Sequence, residues 1–332
     1  MGARLTDIGI YLPIKTLSND ELSAEFPEWS AGKIGEKIGI SFRHLTGENE
    51  TALDMAVKAS ELVLTKEQKS RIDFILLCTQ SPDYFLPTSA CILQERLGLR
   101  TSIGALDFNL GCSGFIFGLA LSKGLIASGT SDCILLVMSE TYSKHIHIKD
   151  KANRSIFGDG AAAVIIERNQ SEHIGEFVLG TDGSGMDNLI IRTGGMRNPH
   201  KEPENILYTG DQDLINPNYL YMNGPEIFNF TIKNIPPLIS ETLVRNKMML
   251  DEIDFVIFHQ ANKFILEYLR KKLKIPGQKF FIDMEETGNT VSASIPIALD
   301  SAKQKGLIKT GDKILLAGFG VGYSWGAVII EI

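Results

Sequence analysis

Short apolar runs alternate with stretches of helical period along most of this 332-residue chain. Asp73–Cys78, Ser102–Asn109, Cys133–Ser139 and Ala161–Glu167 read as strands. Ala52–Leu64, Thr88–Leu97 and Ser113–Ser128 carry the three-to-four-residue apolar spacing of helices. Ile8, Ile10 and Leu12 alternate like a first strand. The second half has the same habit, with strands predicted at Asp254–Phe258, Lys279–Asp283, Lys313–Gly318 and Gly326–Glu331. Its helices are predicted at Pro225–Asn246, Asn262–Leu273 and Val291–Lys305. Alternating elements of this kind define a layered α/β architecture.

The two halves also resemble each other in sequence. IDFILLCTQ at 72–80 matches IDFVIFHQA at 253–261, and SKGLIASGTSDCILLVMSE at 122–140 matches QKGLIKTGDKILLAGFG at 304–320. Two matches in the same order point to an internal duplication, with halves at 1–172 and 173–332. Between them Gly180–Asn218, rich in Gly, Asn, Asp and Pro, reads as a long irregular excursion.

Composition narrows the class. Hydrophobic residues at 44% and charged residues at 22% are globular values that leave no room for a disordered chain. A net charge of −7 argues against a nucleic-acid partner. No apolar run approaches a membrane span, and MGARLTDIGIYLP lacks the apolar core of a signal peptide, so a cytoplasmic location is expected. The first residues fit a loose myristoylation pattern, but they read better as the first strand. The four cysteines, Cys78, Cys91, Cys112 and Cys133, have neither CxxC pairing nor metal-like spacing with histidine, and no metal site is expected. Cys78, Cys91 and Cys133 read as packing residues.

Cys112 differs, because it stands between Gly111 and Gly114 where a strand gives way to a helix. A thiol at a helix start would feel unsatisfied N–H groups and have its pKa lowered, as a nucleophile requires; tight packing is the other reading of the same residues. His259 closes the apolar run FVIF and is either a satisfied structural histidine or a group that donates to, or takes a proton from, a substrate. Asn289 in ETGNT suits a turn or cap, yet an uncharged amide beside a histidine would also keep the imidazole neutral. Aligning the repeats sets the Cys112 turn against the Asn289 turn, and the strand ending in His259 against the one running into Thr79. Functional groups of open α/β sheets gather at such strand ends. Gly318, Gly320 and Gly322, spaced by two, would let backbone N–H groups approach an oxyanion. GDG at 158–160 precedes a strand and supports no dinucleotide or phosphate loop.

Taken together, Gly111-Cys112-Ser113-Gly114-Phe115, Phe157-Gly158-Asp159-Gly160-Ala161, His259-Gln260-Ala261-Asn262, Gly288-Asn289-Thr290 and the run from Gly318 to Gly326 resemble the β-ketoacyl-acyl-carrier-protein synthase III family of thiolase-like condensing enzymes. IGISFRHLTGENET at 38–51 and YMNGPEIF at 221–228 extend the resemblance to nearly the whole chain. It implies a five-layered αβαβα fold, a homodimer, and a triad of Cys112, His259 and Asn289. The cysteine would take an acyl group from a coenzyme A thioester. A malonyl group on acyl carrier protein would then lose carbon dioxide with help from His259 and Asn289 and attack the acyl-cysteine. No permanently bound cofactor is implied, coenzyme A and phosphopantetheine thioesters being substrates. The backbone N–H groups of Cys112 and Val321 would form the oxyanion hole, with valine where the family usually has glycine.

The resemblance further implies substrate contacts at Trp29, Lys151 and Arg154 near the adenine end of a tunnel, and at Phe157, Gly320 and Gly322. Trp29 lies farther from Gly39 than the family spacing. Leu86 falls where fatty-acid enzymes often carry phenylalanine, in a loop that would reach the partner's acyl pocket. Lys263, Arg270, Lys271, Lys272 and Lys274 cluster along one helix, either as a solvated face or as a docking surface for the acidic carrier protein. Two other functions fit parts of this pattern: transfer of the acyl group from Cys112 to an amine or hydroxyl without decarboxylation, and a non-catalytic partner subunit.

Overall fold

The computed structural model describes residues 2–203, 208–209 and 214–332. Its first sheet contains β1 (Gly2–Tyr11), β2 (Phe74–Cys78), β3 (Gly104–Phe108), β4 (Cys133–Glu140) and β5 (Gly160–Asn169), in the order β1-β5-β4-β2-β3. The second contains β6 (Val178–Thr181), β7 (Phe255–Phe258), β8 (Phe280–Phe281), β9 (Lys313–Gly320) and β10 (Ser324–Glu331), in the order β8-β7-β9-β10-β6. From the parallel edge inward, β3-β2-β4 and β8-β7-β9 are parallel. The remaining pairs, β4-β5-β1 and β9-β10-β6, are antiparallel in both sheets. The duplication seen in the sequence is therefore repeated strand for strand in the topology.

Helices fill three layers around these sheets. The helices α1 (Ala52–Glu61) and α2 (Ser89–Arg96) cover the outer face of the first sheet, and α4 (Gly224–Arg245) and α5 (Lys263–Lys272) the outer face of the second. Between the sheets lie α3 (Gly114–Ala127) and α6 (Ser294–Gln304), and the core there draws on both sheets at once. The fold is the thiolase-like αβαβα arrangement.

Position in this stack explains the sequence pattern. All residues of β4 are buried, because helices cover both its faces, so it reads as an unbroken apolar run. The α3 helix has no polar stripe, since it faces a sheet on either side. Its Gly118 permits the contact: a Cβ there would fall 2.7 Å from Leu136 in β4.

Three expectations are corrected. Cys91 lies in α2 but is exposed, because the buried stripe of that helix runs through Ser89, Ala90 and Leu93. The strand expected over Lys279–Asp283 shrinks to Phe280–Phe281, preceded by a 3-10 turn at Gly277–Lys279. The excursion expected over Gly180–Asn218 is partly ordered. Its first residues finish β6, a 3-10 helix follows at Gly183–Asn188, and Leu189–Ile190 pairs with Tyr221–Met222. Residues 204–207 and 210–213 of that stretch lie outside the described residues.

Candidate active site

Cys112 sits in the turn between β3 and α3, which is closed by the Gly114 N–H donating to the Gly111 carbonyl at 2.7 Å. The turn is pressed against β9 of the other half. A Cβ on Gly318 would fall 2.7 Å from the Cys112 carbonyl oxygen, and one on Gly320 would fall 2.8 Å from Cys112 Cβ and 2.9 Å from Sγ. Those two alternate glycines thus make room for the cysteine itself. The backbone N–H groups of Cys112 and Val321 both face Sγ and favour its thiolate.

They do not prevail. Burial, with the Glu140 carboxyl nearby as the next cause, pushes the Cys112 thiol up to about 12. This corrects the expectation of a thiol whose pKa is lowered at a helix start. Cys112 precedes the N-cap Ser113 and is only 6% exposed, so desolvation outweighs the helix terminus. The resting group is a thiol and needs a proton acceptor to become a nucleophile.

His259 leaves the end of β7, and its N–H donates to the Ala317 carbonyl of β9 at 2.7 Å, which extends the parallel ladder by one residue. The ring is fully buried, and burial lowers its pKa to about 3, so the imidazole is neutral. Nδ1 lies 2.7 Å from Ser294 Oγ and Nε2 lies 3.5 Å from Asn289 Nδ2. The orientation of the Asn289 amide is fixed by its other partners. Its Oδ1 accepts the Val291 N–H at 2.9 Å, and its Nδ2 donates to the Ala261 carbonyl at 3.4 Å. An N–H therefore points at Nε2, which matches the tautomer with its proton on Nδ1 and Nε2 free to accept one.

The first half of the chain holds Asn289 in place. Asn289 N–H donates to the Ile156 carbonyl at 2.9 Å and Gly158 N–H to the Asn289 carbonyl at 3.0 Å, a parallel bridge between Phe157 and Asn289. The same bridge brings Phe157 to the site, where it packs with Cys112, Leu189, Leu220 and Val291.

Cys112, His259 and Asn289 open onto one cavity of about 670 Å³, also lined by Trp29, Phe157 and Gly320. Gly322 and Leu86 do not line it, and Leu86 is 82% exposed. Lys151 and Arg154 do not line it either, because each is drawn to a carboxylate. Lys151 Nζ lies 2.7 Å from Glu28, with its charge over the Trp29 ring, and Arg154 pairs with Glu25 at 2.5 Å. The cationic residue of the cavity wall is Lys37 instead. Asn262, Phe264 and Phe228 line it too. Asn262 and Phe228 lie in stretches that carry the family resemblance, which does not mark them as cavity residues, and Lys37 and Phe264 read as ordinary helix residues.

The expected docking helix is also divided. Lys263 and Lys271 line a groove with Lys33, Lys37, Phe264, Tyr268 and two carboxylates, Glu36 and Glu267; it shares Lys37 and Phe264 with the cavity wall. Arg270 does not line the groove and is held by Glu267 at 2.8 Å and the Ile275 carbonyl at 3.2 Å. Lys272 and Lys274 do not line the groove. Among the described residues, no group of three or more His, Cys, Asp or Glu could hold a metal ion, and no helix is long and apolar enough to cross a membrane.

A buried thiol, a neutral imidazole and an amide N–H at one cavity, carried on a duplicated αβαβα stack, define a thiolase-like acyltransferase. Residues 106–183 match the family model described as 3-oxoacyl-[acyl-carrier-protein] synthase III, and residues 243–332 match its C-terminal model. The chain is 37% identical to a β-ketoacyl-[acyl-carrier-protein] synthase III of Clostridium perfringens and 36% identical to one of Streptococcus sanguinis, with 99% of each chain covered in both cases. A 3-oxoacyl-(acyl-carrier-protein) synthase III crystal structure superposes with a TM-score of 0.97 at 42% identity over the full length of both chains. One from Burkholderia xenovorans gives 0.91 at 33% identity, covering 100% of this chain and 94% of that one. The chain belongs to the β-ketoacyl-[acyl-carrier-protein] synthase III family.

Proposed function

We propose that this protein loads an acyl group on Cys112 and extends it by decarboxylative condensation with a malonyl thioester on acyl carrier protein. In the first step Sγ attacks the carbonyl of an acyl thioester, its proton passes to His259 Nε2, and the coenzyme A thiolate leaves with that proton. In the second step the malonyl carboxylate departs as carbon dioxide. The electron pair moves onto the thioester carbonyl oxygen, which takes hydrogen bonds from His259 Nε2–H and Asn289 Nδ2–H. The carbon so activated attacks the acyl-cysteine, whose oxygen rests against the Cys112 and Val321 N–H groups, and Cys112 is expelled as the thiolate, which takes a proton from solvent to return to the resting thiol.

The two steps ask His259 for opposite states of Nε2. Ser294 Oγ can accept from Nδ1 or donate to it, so its 2.7 Å contact is compatible with either tautomer. The observation that carries this reading is the Asn289 amide directed at His259 Nε2 on the cavity that holds Cys112.

The same reading assigns the cavity to a coenzyme A or phosphopantetheine arm, with no bound cofactor, and the Lys33, Lys37, Lys263 and Lys271 groove to the acidic carrier protein. It includes a cytoplasmic homodimer in which the exposed Phe85-Leu86-Pro87 loop reaches the partner, and a division of the chain at 172/173. The end of β5 at Asn169 and the start of β6 at Val178 agree with that division. Intact-mass measurement after incubation with acyl-coenzyme A, followed by labelled carbon dioxide release from malonyl-carrier protein, tests the proposal. A Cys112 adduct without carbon dioxide release would point instead to acyl transfer onto an amine or hydroxyl. No adduct with any acyl group would point to a non-catalytic subunit.

A further inference from the structure

Glu140 ends β4 with its carboxyl fully buried, and the chemistry above does not use it. The Gln80 backbone N–H donates to both its oxygens, at 3.2 and 3.0 Å, and the hydroxyls of Ser81 and Ser292 donate at 3.5 and 3.1 Å. Every one of these donors is neutral. A carboxyl taken out of water without a cation is costly to keep, and burial pushes its pKa up to about 8. Gln80 and Ser81 belong to the first half of the chain, whereas Ser292 belongs to the turn that carries Asn289.

That turn is strained. Val291 has φ of 54°, a left-handed conformation that β-branched residues rarely adopt. Such a residue persists only where its surroundings over-determine it. On one side the Val291 N–H donates to Asn289 Oδ1 at 2.9 Å, and on the other the next residue, Ser292, donates to Glu140. The Val291 side chain is itself fully buried against Cys112 and Phe157. Occupying Oδ1 is what turns the Asn289 N–H groups toward Ala261 and His259.

We propose that Glu140 is a positioning residue for Asn289. Through Ser292 it holds the strained turn whose Val291 N–H fixes the Asn289 amide against His259. The proposal rests on the condensing reading above and adds to it a link from the first half of the chain to the second. Relaxation of the turn would misplace one donor, whereas the N–H groups that face Sγ, those of Cys112 itself and of Val321 just after β9, lie outside that turn.

The test separates the two half-reactions in the full-length protein, using Ser292→Ala and Glu140→Met, with thermal melting as the check on folding. Ser292→Ala should load Cys112 from acyl-coenzyme A like the parent protein, and Glu140→Met at least as well, since it also removes a carboxyl that raises the Cys112 thiol. Their kcat for carbon dioxide release from malonyl-carrier protein should fall roughly 100-fold, the scale of a misplaced group, with little change in KM. Glu140→Gln should restore most of that loss, because its carbonyl can accept from Gln80 while its amide donates to Ser292 Oγ. Carbon dioxide release at the parent rate in both variants overturns the proposal. Equal loss of loading and release in folded variants also overturns it, since that is the mark of a general structural role. A parent protein that loads Cys112 but releases no carbon dioxide overturns the condensing reading itself, and this inference with it.

Discussion

The Asn289 amide nitrogen stands 3.5 Å from His259 Nε2, and the backbone of the opposite half holds it there through Ile156 and Gly158. In the reaction proposed above, loading of Cys112 does not use the Asn289 amide, whereas both residues would donate to the carbonyl that holds negative charge when carbon dioxide leaves. We expect Asn289→Ala to acquire an acyl group on Cys112 normally. Its carbon dioxide release from malonyl-carrier protein should fall by roughly 10²–10³-fold, the usual cost of deleting one oxyanion donor. Loss of loading in the same variant would place Asn289 in the first step instead.

Two buried groups give stability an opposed dependence on pH. The folded His259 titrates near 3 against an ordinary 6.5, so the unfolded chain binds more protons between those values and stability rises with pH across them. The folded Glu140 titrates near 8 against an ordinary 4.5, so the folded chain binds more protons there and stability falls as pH rises from 4.5 to 8. The two oppose each other up to 6.5, and above it only the Glu140 contribution remains of the pair. The His145 pKa is lowered by burial and acts below its ordinary 6.5, while the buried thiols and Tyr142 have ordinary values of 9 and 10 and titrate higher. The Asp159 pKa is raised by burial from 3.8, and its contribution survives in both proteins compared. The melting temperature should therefore fall between pH 6.5 and 8, and the fall should be smaller in Glu140→Gln. Equal slopes in the two proteins would assign the effect to other groups.

Gly320→Ala tests whether the alternate glycines serve the cysteine or a ligand. The added methyl carbon would sit 2.8 Å from Cys112 Cβ and 2.9 Å from Sγ, too close for either to stay in place. Overpacking of this kind costs about 1–3 kcal/mol, and Sγ should be pushed from the Cys112 and Val321 N–H groups. We expect a lower melting temperature and a large loss of Cys112 loading by intact mass. Normal loading with only a weakened thioester KM would instead favour a ligand-contact role.

The sequence pattern made the layers and the duplication legible and marked Cys112, His259 and Asn289 as candidates, while their grouping as a triad came from the family resemblance. Apolar runs mark β2, β4 and β9, and a glycine-flanked cysteine and a histidine at the end of a buried strand mark the site. Properties that depend on what lies across the fold were not legible. Lys151 and Arg154 look available as charges, but Glu28 and Glu25 come from a helix and loop more than 100 residues away and claim them. The lowered pKa expected for Cys112 was a judgement about one helix terminus, whereas burial between the halves decides the sign. Ser294 was hidden for the same reason. It lies at the start of α6, a common place for serine, and only the packing of β7 beside that helix shows that it meets His259 Nδ1.

The division of the α5 cations leads to a test of carrier recognition. Lys263 and Lys271 share a groove with Lys33 and Lys37 beside the cavity, whereas Arg270 is committed to Glu267 within its own helix. A double charge reversal, Lys263→Glu with Lys271→Glu, should raise KM for malonyl-carrier protein by about ten-fold or more at low salt. It should leave KM for a small malonyl thioester unchanged, since complementarity of this kind acts on encounter with a charged partner. The difference between parent and variant should shrink as salt is added, because the cations are exposed and screened. Arg270→Glu alone should do little to carrier KM, and its effect should appear as lost helix stability through repulsion with Glu267 and loss of the Ile275 contact. Equal weakening toward carrier-bound and small thioesters would locate the defect in the cavity and remove the groove from carrier docking.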